Sequence, residues 1–197
     1  FTSTLPKEGK STVSANFAQV IAHGGAKCIL VDGDLRNPTL TRRLAPDAKV
    51  GLLELLNGSC SVEEVTVIDP LTKLHFIPTV FESQLVHTSE VISSGVMKSL
   101  VDMLRQHADY VILDLSPVAP LADVLASSNL VDGYIYVLEW NAISRDLVAN
   151  TFRENHHLYD KTIGCLLNKT DVAALRRLED YGSKYHYYKY YAKYGEG

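Results

Sequence analysis

Long apolar segments are missing from this chain of 197 residues. No apolar run reaches the length of about 18 residues that predicts a membrane-spanning helix. The first residues, Phe1 to Thr4, have neither the basic nor the apolar stretch of a signal peptide. A net charge of −4 gives no general argument for binding nucleic acid or an anionic membrane. We therefore expect a soluble, cytosolic globular chain with one main core.

Cysteine is also scarce. The three cysteines, Cys28, Cys60 and Cys165, are odd in number and far apart in the sequence. This pattern favours free, buried thiols in a reducing compartment over a disulfide or a metal site.

The C-terminal segment, residues 181–197, contains no Leu, Ile, Val or Phe. Such a segment cannot bury enough apolar surface to stay folded, so we expect a folded domain over residues 1–180 followed by a flexible tail. Seven of the eleven tyrosines lie in this tail: Tyr181, Tyr185, Tyr187, Tyr188, Tyr190, Tyr191 and Tyr194. Because lysines alternate with these tyrosines, a platform that stacks single-stranded nucleic acid is an alternative reading of the tail.

Short apolar runs alternate with segments of helical period, which predicts an α/β fold with a mostly parallel, doubly wound sheet. The runs are nearly continuous, as expected of strands that helices cover on both faces. Strands are predicted at 27–31, 110–114, 134–138 and 163–167, with a weaker one at 74–78. Helices are predicted around 13–21 (ended by Gly24 and Gly25), 96–104 and 147–158.

The most informative segment is residues 4–12, which matches the phosphate-loop pattern G-x-x-x-x-G-K-[ST] except that Thr4 replaces the first glycine. Gly9 allows a close turn, Lys10 supplies positive charge to the β and γ phosphates, and the Ser11 hydroxyl suits Mg²⁺. The helix that follows directs the positive end of its dipole at the anion. The alternative is an ordinary loop that enters a helix. Predicted nucleotide contacts are Thr4, Leu5, Pro6, Lys7, Glu8, Gly9, Lys10, Ser11 and Thr12.

A strand normally precedes such a loop, yet only residues 1–3 do so here. We expect the sequence to be a fragment in which the first strand is largely missing.

Carboxylates follow two of the predicted strands. Asp32 and Asp34 come after the strand at 27–31, and Asp114 ends the strand at 110–114. The C-terminal ends of parallel strands share one crevice, so these groups should gather beside the phosphate loop. Hard carboxylate oxygens, together with phosphate oxygens and water, suit Mg²⁺.

Three motifs resemble the Walker A, A′ and B motifs of the bacterial tyrosine kinases, the cytoplasmic domains of exopolysaccharide and capsule chain-length regulators. They are Thr2-Ser3 with Pro6-Lys-Glu-Gly-Lys-Ser-Thr12, Ile29-Leu-Val-Asp-Gly-Asp-Leu-Arg36, and Val111-Ile-Leu-Asp-Leu-Ser-Pro117. The tyrosine-rich C-terminus adds to the likeness.

This resemblance implies a P-loop kinase that uses ATP and Mg²⁺. Ser11 and Asp34 would hold the metal, Asp114 would act on it through a water, and Lys10 would offset phosphate charge. Asp32 would orient or deprotonate the incoming tyrosine, and Asn168 would read the adenine edge. The role of Arg36 stays open between a phosphate contact and a structural ion pair.

The resemblance also implies a biological setting. The kinase would phosphorylate its own tail tyrosines in trans and so regulate polysaccharide polymerisation and export. It would form a ring-type homo-oligomer at the cytoplasmic face of the inner membrane, with a membrane chain-length regulator part or activator and a tyrosine phosphatase as partners. Nucleic acid is not an expected partner.

Departures from the family pattern keep other functions open. Lys7 replaces a glycine, Asp114-Leu-Ser-Pro117 departs from the usual Asp-Thr-Pro-Pro, and Leu5 stands where partition and septum-site ATPases carry their signature lysine. A partition-type ATPase and a non-catalytic ATP-binding scaffold are the alternatives. Asn168-Lys-Thr-Asp171 also imitates the guanine-reading motif of GTPases. The polysaccharide concerned, the oligomer size and the order of tyrosine phosphorylation do not follow from the sequence.

Overall fold

A computed structural model describes residues 1–80, 87–119 and 123–179. The strands are β1 Thr2–Ser3, β2 Cys28–Gly33, β3 Val67–Ile68, β4 His75–Ile77, β5 Tyr110–Leu115, β6 Tyr134–Glu139 and β7 Thr162–Asn168. The helices are α1 Lys10–His23, α2 Thr39–Leu44, α3 Leu52–Leu56, α4 Val62–Val65, α5 Thr88–Ser93, α6 Gly95–His107, α7 Asp123–Ala126, α8 Arg145–Glu154, α9 His156–Lys161 and α10 Val172–Glu179.

The strands form two hydrogen-bonded sets, in the orders β3-β4-β2-β5 and β1-β6-β7. Every pairing is parallel except β3 with β4. Between the sets, the backbone N–H of Leu115 donates to the carbonyl of Phe1 over 2.9 Å. The predicted mostly parallel α/β fold is confirmed.

Apolar cores lie on both faces of the sheet. Alternate residues of β2 point to opposite faces, so that Ile29 and Val31 join one core while Cys28 and Leu30 join the other. Residues of α6 pack in the first core, and alanines of α1 pack in the second. This two-sided burial explains why the sequences of β2, β5 and β6 are continuous apolar runs. The prediction that the strand at 163–167 is buried is wrong, since β7 is mostly exposed.

All five predicted strands are present, each within two residues of its expected bounds. The short strand β3 was not predicted, since two residues give no periodicity. Helices α1 and α6 are confirmed, and α1 ends at Gly24 as expected.

Only part of the stripe of large residues that predicted α1 packs, since Val13 and Ile21 are half-buried against the second core. Phe17 and Val20 are exposed to 42% and 71% of their surface. The buried residues are small or lie at the helix start: Lys10, Ser11, Ser14, Ala15, Ala18 and Ala22. Small side chains let the helix approach the sheet closely, which brings its N-terminus near the strand ends.

The single helix predicted over 147–158 is wrong, because the chain forms α8 and α9 with a break at Asn155. Asn155 leaves the helical region at φ −129° and ψ 71°, and its side-chain amide donates to the Thr151 carbonyl over 2.8 Å. Asparagine favours such local side-chain bonds over continued helix.

The three cysteines are free thiols. Burial was predicted for all three and holds for Cys28; Cys60 is half-buried and Cys165 is exposed, so the prediction is wrong for Cys165. Within the described parts of the chain, no helix has the length and apolar character needed to cross a membrane. The seven tail tyrosines lie outside the described residues.

Candidate nucleotide-binding site

The loop of residues 4–9 connects β1 to α1 at the C-terminal edge of the sheet. Gly9 adopts φ 95°, in the left-handed region that glycine tolerates, and α1 begins at the next residue. The first N–H groups of a helix have no acceptor within the helix. The start of α1 therefore presents unpaired donors and the positive end of its dipole beside the loop.

Thr4, which stands in place of the first motif glycine, is fully buried. Its hydroxyl hydrogen-bonds the hydroxyl of Tyr136 on β6 over 2.9 Å. Burial raises the pKa of Tyr136 to about 12, so this phenol stays protonated. The substitution anchors the loop to the sheet through a side chain that glycine lacks.

Lys7 occupies a second family glycine position, and its φ is 73°. A left-handed conformation costs a non-glycine residue about 1–2 kcal/mol, because Cβ crowds the backbone. Lys7 therefore adds strain to the loop.

Glu8 faces inward and is only 4% exposed. Its carboxylate accepts the N–H of Leu5 over 2.6 Å and the N–H of Glu139 over 3.1 Å. The Leu5 amide is therefore occupied, and Pro6 has no N–H to offer. The first backbone N–H group of the loop that is free to face a phosphate is therefore that of Lys7.

The side chain of Lys10 joins the loop to two of the strand-end carboxylates. Its ammonium lies 2.9 Å from Oδ2 of Asp34 and 3.6 Å from Oδ2 of Asp114. Burial alone would lower the pKa of Lys10, but Asp114 and Asp34 outweigh it and raise that pKa. The Ser11 hydroxyl lies 3.3 Å from the same ammonium. The structure thus brings these four predicted site residues together.

Asp114 is fully buried, and neither of its carboxylate oxygens has a hydrogen-bond partner among the described residues. Burial raises its pKa, although the nearby Lys10 ammonium opposes the shift. The carboxylate keeps its ion pair with Lys10 at 3.6 Å, but a buried carboxylate that lacks hydrogen bonds is costly unless another group supplies them.

Mg²⁺ with its bound waters fits this position, since it prefers hard oxygen ligands. In the described residues, no group of three or more His, Cys, Asp or Glu could hold a metal by itself. The protein would therefore supply only part of the coordination, and phosphate oxygens and waters would supply the remainder.

Asp32 is fully buried and faces Thr41 of α2. Its Oδ2 accepts both the backbone N–H and the hydroxyl of Thr41, each over 2.8 Å. Burial raises the pKa of Asp32 to about 7, against these hydrogen bonds, which lower it. Asp32 pairs with Asp114 in the register of β2 and β5, so the two carboxyls are neighbours across the sheet.

Arg36 forms an ion pair with Asp123, with 3.1 Å between Nε and Oδ2. The Thr88 hydroxyl also contacts this carboxylate, at 2.9 Å. Of the two roles left open for Arg36, the structure favours the structural ion pair.

Asn168 and Asp171 both have partners within the protein. The side-chain amide of Asn168 donates to the Glu8 carbonyl over 2.8 Å. The Asp171 carboxylate accepts the N–H groups of Ala173 and Ala174, at the start of α10. Capping α10 accounts for Asp171 without a guanine base.

Several residues around the site were not identified from the sequence: Thr41, Asp123, Tyr136, Glu139 and Lys169. Most of them carry no sequence signal, because their partners are remote in the chain. Lys169 is an exception, since it belongs to the Asn-Lys-Thr-Asp quartet.

Comparison with known proteins places this geometry in a family. The model of the AAA domain family matches residues 8–145. The succinoglycan biosynthesis transport protein ExoP of Rhizobium meliloti (strain 1021) is 36% identical over 98% of this chain and 25% of its own length. The chain thus spans about a quarter of that relative's length.

Tyrosine-protein kinase YwqD of Bacillus subtilis (strain 168) is 30% identical over 93% of this chain and 76% of its own length. Among solved structures, the VpsO kinase domain superposes with a TM-score of 0.79 and 27% identity, over 86% of this chain and 83% of that one. The chain belongs to the AAA domain family and, within it, to the bacterial tyrosine kinases.

Proposed function

We propose that the chain binds Mg-ATP at the loop of residues 4–12 and transfers the terminal phosphoryl group to tyrosine hydroxyl groups. The observation that carries the proposal is the buried contact of Lys10 with Asp34 and Asp114. One cation and two carboxylates at a helix N-terminus suit a triphosphate with its metal.

Nucleotide binding would rearrange this contact. Phosphate oxygens would compete with Asp34 for the Lys10 ammonium and so release the Asp34 carboxylate. Ser11 and Asp34 would then hold Mg²⁺, with Asp114 reached through a water, and the ion would neutralise charge on the phosphates. The oxygens of Asp114 have no hydrogen-bond partner among the described residues, which supports this arrangement, because a water there would supply hydrogen bonds.

Phosphoryl transfer needs positioning and charge neutralisation more than covalent help from the protein. The tyrosine oxygen would bond to the γ-phosphorus as the bond to the β–γ bridging oxygen breaks, leaving ADP. Asp32 would orient the tyrosine and take its proton. A pKa of about 7 suits a carboxylate that accepts a proton near neutral pH. Asp32 would have to exchange one of its contacts to Thr41 for the tyrosine.

The acceptors that we propose are the seven tyrosines of residues 181–197, reached in trans from a neighbouring subunit. Each added phosphate carries about −1.5 to −2 charges, which would offset the tail lysines and loosen such contacts. By the same reasoning, we propose a homo-oligomer at the cytoplasmic face of the inner membrane. A membrane chain-length regulator part and a tyrosine phosphatase would be its partners, and polysaccharide polymerisation and export the process it regulates.

Intact-mass measurement after incubation with Mg-ATP tests the kinase proposal. We expect mass increments of phosphate on the full chain and none on the chain ending at residue 180, with retained nucleotide binding in both. Lys10→Met should show none, because the phosphates lose their cation.

The rival function, an ATPase of the partition type, has a different signature in the same experiment. Free phosphate released without any increment on the full chain would favour it and count against the kinase.

A further inference from the structure

We propose that Lys169 is a positioning residue that holds the phosphate loop in its nucleotide-binding shape, as part of a clasp formed by Glu139, Asn168 and Lys169. Glu139 and Asn168 end β6 and β7, and Lys169 follows β7 directly; both strands lie on the side of β1 away from β2. The inference rests on the proposed function only so far as the loop binds nucleotide.

The clasp holds two successive carbonyls at the crest of the loop. The Lys169 ammonium donates to the carbonyl of Lys7 over 2.7 Å. The Asn168 side-chain amide donates to the carbonyl of Glu8 over 2.8 Å. The residues joined in this way are at least 160 positions apart in the sequence, so these contacts are purely tertiary.

Glu139 completes the clasp from β6. Its side chain accepts the Lys169 ammonium at 2.7 Å, and its backbone N–H donates to the Glu8 carboxylate over 3.1 Å. Lys169 and Glu139 keep 47% and 27% of their side-chain surface exposed. An ion pair in that setting adds little stability by itself. Its effect here is to fix where the ammonium points.

The direction of the backbone carbonyls determines whether a phosphate loop can bind an anion. A loop binds phosphate when its N–H groups point inward, which requires the carbonyls of the same peptides to point outward. Donors placed outside the loop, at the carbonyls of Lys7 and Glu8, favour this orientation over the reverse one. The clasp therefore orients the backbone N–H groups that would bind the phosphates, although the clasp itself does not contact the phosphates.

The crest needs such support because it is strained. Lys7 and Gly9 both have positive φ, at 73° and 95°. A Cβ added to Gly9 would lie 2.0 Å from Nδ2 of Asn168, so the clasp packs directly on the loop at this glycine. Without external contacts, Lys7 would relax to negative φ and turn its peptide groups.

Lys169→Met tests the inference, since methionine keeps much of the stem and removes the donor. The dissociation constant for Mg-ADP should rise about tenfold, the effect of losing one charged hydrogen bond. In tyrosine phosphorylation, the loss should appear mainly in KM for ATP and less in kcat, because bound phosphates themselves hold the loop. Amide hydrogen exchange at residues 7–9 should become faster in the nucleotide-free protein. Lys169→Arg, which can still donate to both partners, should restore affinity.

Lys161→Met is the matched control. Lys161 lies at the other end of β7 and, like Lys169, donates to two acceptors, which are the backbone carbonyls of Ser128 and Val131. Its loss should affect stability as much as that of Lys169, with no change in affinity for Mg-ADP. Glu139→Gln gives a second variant, expected to weaken binding by about threefold, and it carries the test if Lys169→Met does not fold.

The outcomes separate this inference from the proposed function. Unchanged affinity for Mg-ADP in Lys169→Met would overturn the inference about the clasp and leave the proposed function unaffected. An equal loss of affinity in Lys161→Met would do the same. If the parent chain binds no Mg-ADP, both are overturned.

Discussion

The ammonium of Lys10 lies 2.9 Å from Oδ2 of Asp34, although 24 positions separate the two residues in the sequence. Lys10 starts α1, and Asp34 directly follows β2. The contact shows that the helix N-terminus and the C-terminal edge of the sheet meet at one point.

The first prediction concerns Asp114, which we propose for metal binding. Asp114→Asn should abolish tyrosine phosphorylation yet raise the free energy of unfolding by about 1–2 kcal/mol, because the amide removes a charge that burial disfavours while Lys10 keeps Asp34 as its ion-pair partner. Chemical denaturation at neutral pH would measure the change. Asp132→Asn, at a side chain that is 91% exposed, is the control and should change stability by less than about 0.5 kcal/mol. A less stable Asp114→Asn would contradict this reading of the site.

Lys7→Gly should stabilise the protein. Glycine removes the strain of a positive φ, with a net gain of up to about 1 kcal/mol after the larger entropy loss of glycine on folding. Lys73→Gly is a matched control, because Lys73 is also an exposed lysine with positive φ, 64°, and lies outside the site.

Both lysine variants should unfold at higher denaturant concentration than the parent, and only Lys7→Gly should change the affinity for Mg-ADP. Equal affinities for Mg-ADP in the two variants would show that the backbone conformation at Lys7 does not affect nucleotide binding.

The third prediction is a pH dependence that arises from Asp32. Its pKa is about 7 in the folded chain against an ordinary value of 3.8. Between these values the folded state keeps a proton that the unfolded state has released. The contribution of Asp32 to stability is therefore full below about pH 4 and is lost as the pH rises through about 7.

Asp32→Asn removes this slope. We expect the difference in free energy of unfolding between parent and variant to change with pH. As the pH rises from 4 to 7, the parent should lose stability relative to the variant by at most about 1.4 kcal/mol per pH unit. Urea denaturation at several pH values provides the measurement, with the exposed Asp47→Asn as control. Parallel curves for parent and Asp32→Asn would show that Asp32 is not held protonated by burial.

Much of this architecture follows from local sequence. Continuous apolar runs located the five longer strands. Burial on both faces accounts for the runs of β2, β5 and β6, whereas β7 is mostly exposed. The position of Asp34 and Asp114 near Lys10 follows from the rule that parallel strand ends share one edge.

Other features depend on contacts that the hydrophobic pattern of the sequence does not predict. Nothing local to Thr41 shows that it binds Asp32, and nothing local to Lys7 shows that its φ is positive or that its carbonyl accepts Lys169. The exposure of Phe17 could not be predicted either, because hydrophobic periodicity predicts a helix but does not show which face of the helix packs. The break at Asn155 arises from one side-chain hydrogen bond that competes with helical continuation.

The central claim is that Lys10, Asp34 and Asp114 form the binding site of a magnesium-bound nucleotide. Isothermal titration of ADP into the full chain, with and without Mg²⁺, tests it most directly. We predict one site per chain, tighter binding with Mg²⁺ than without, and no binding in Lys10→Met. Absence of binding in the parent, or undiminished binding in Lys10→Met, would contradict the account.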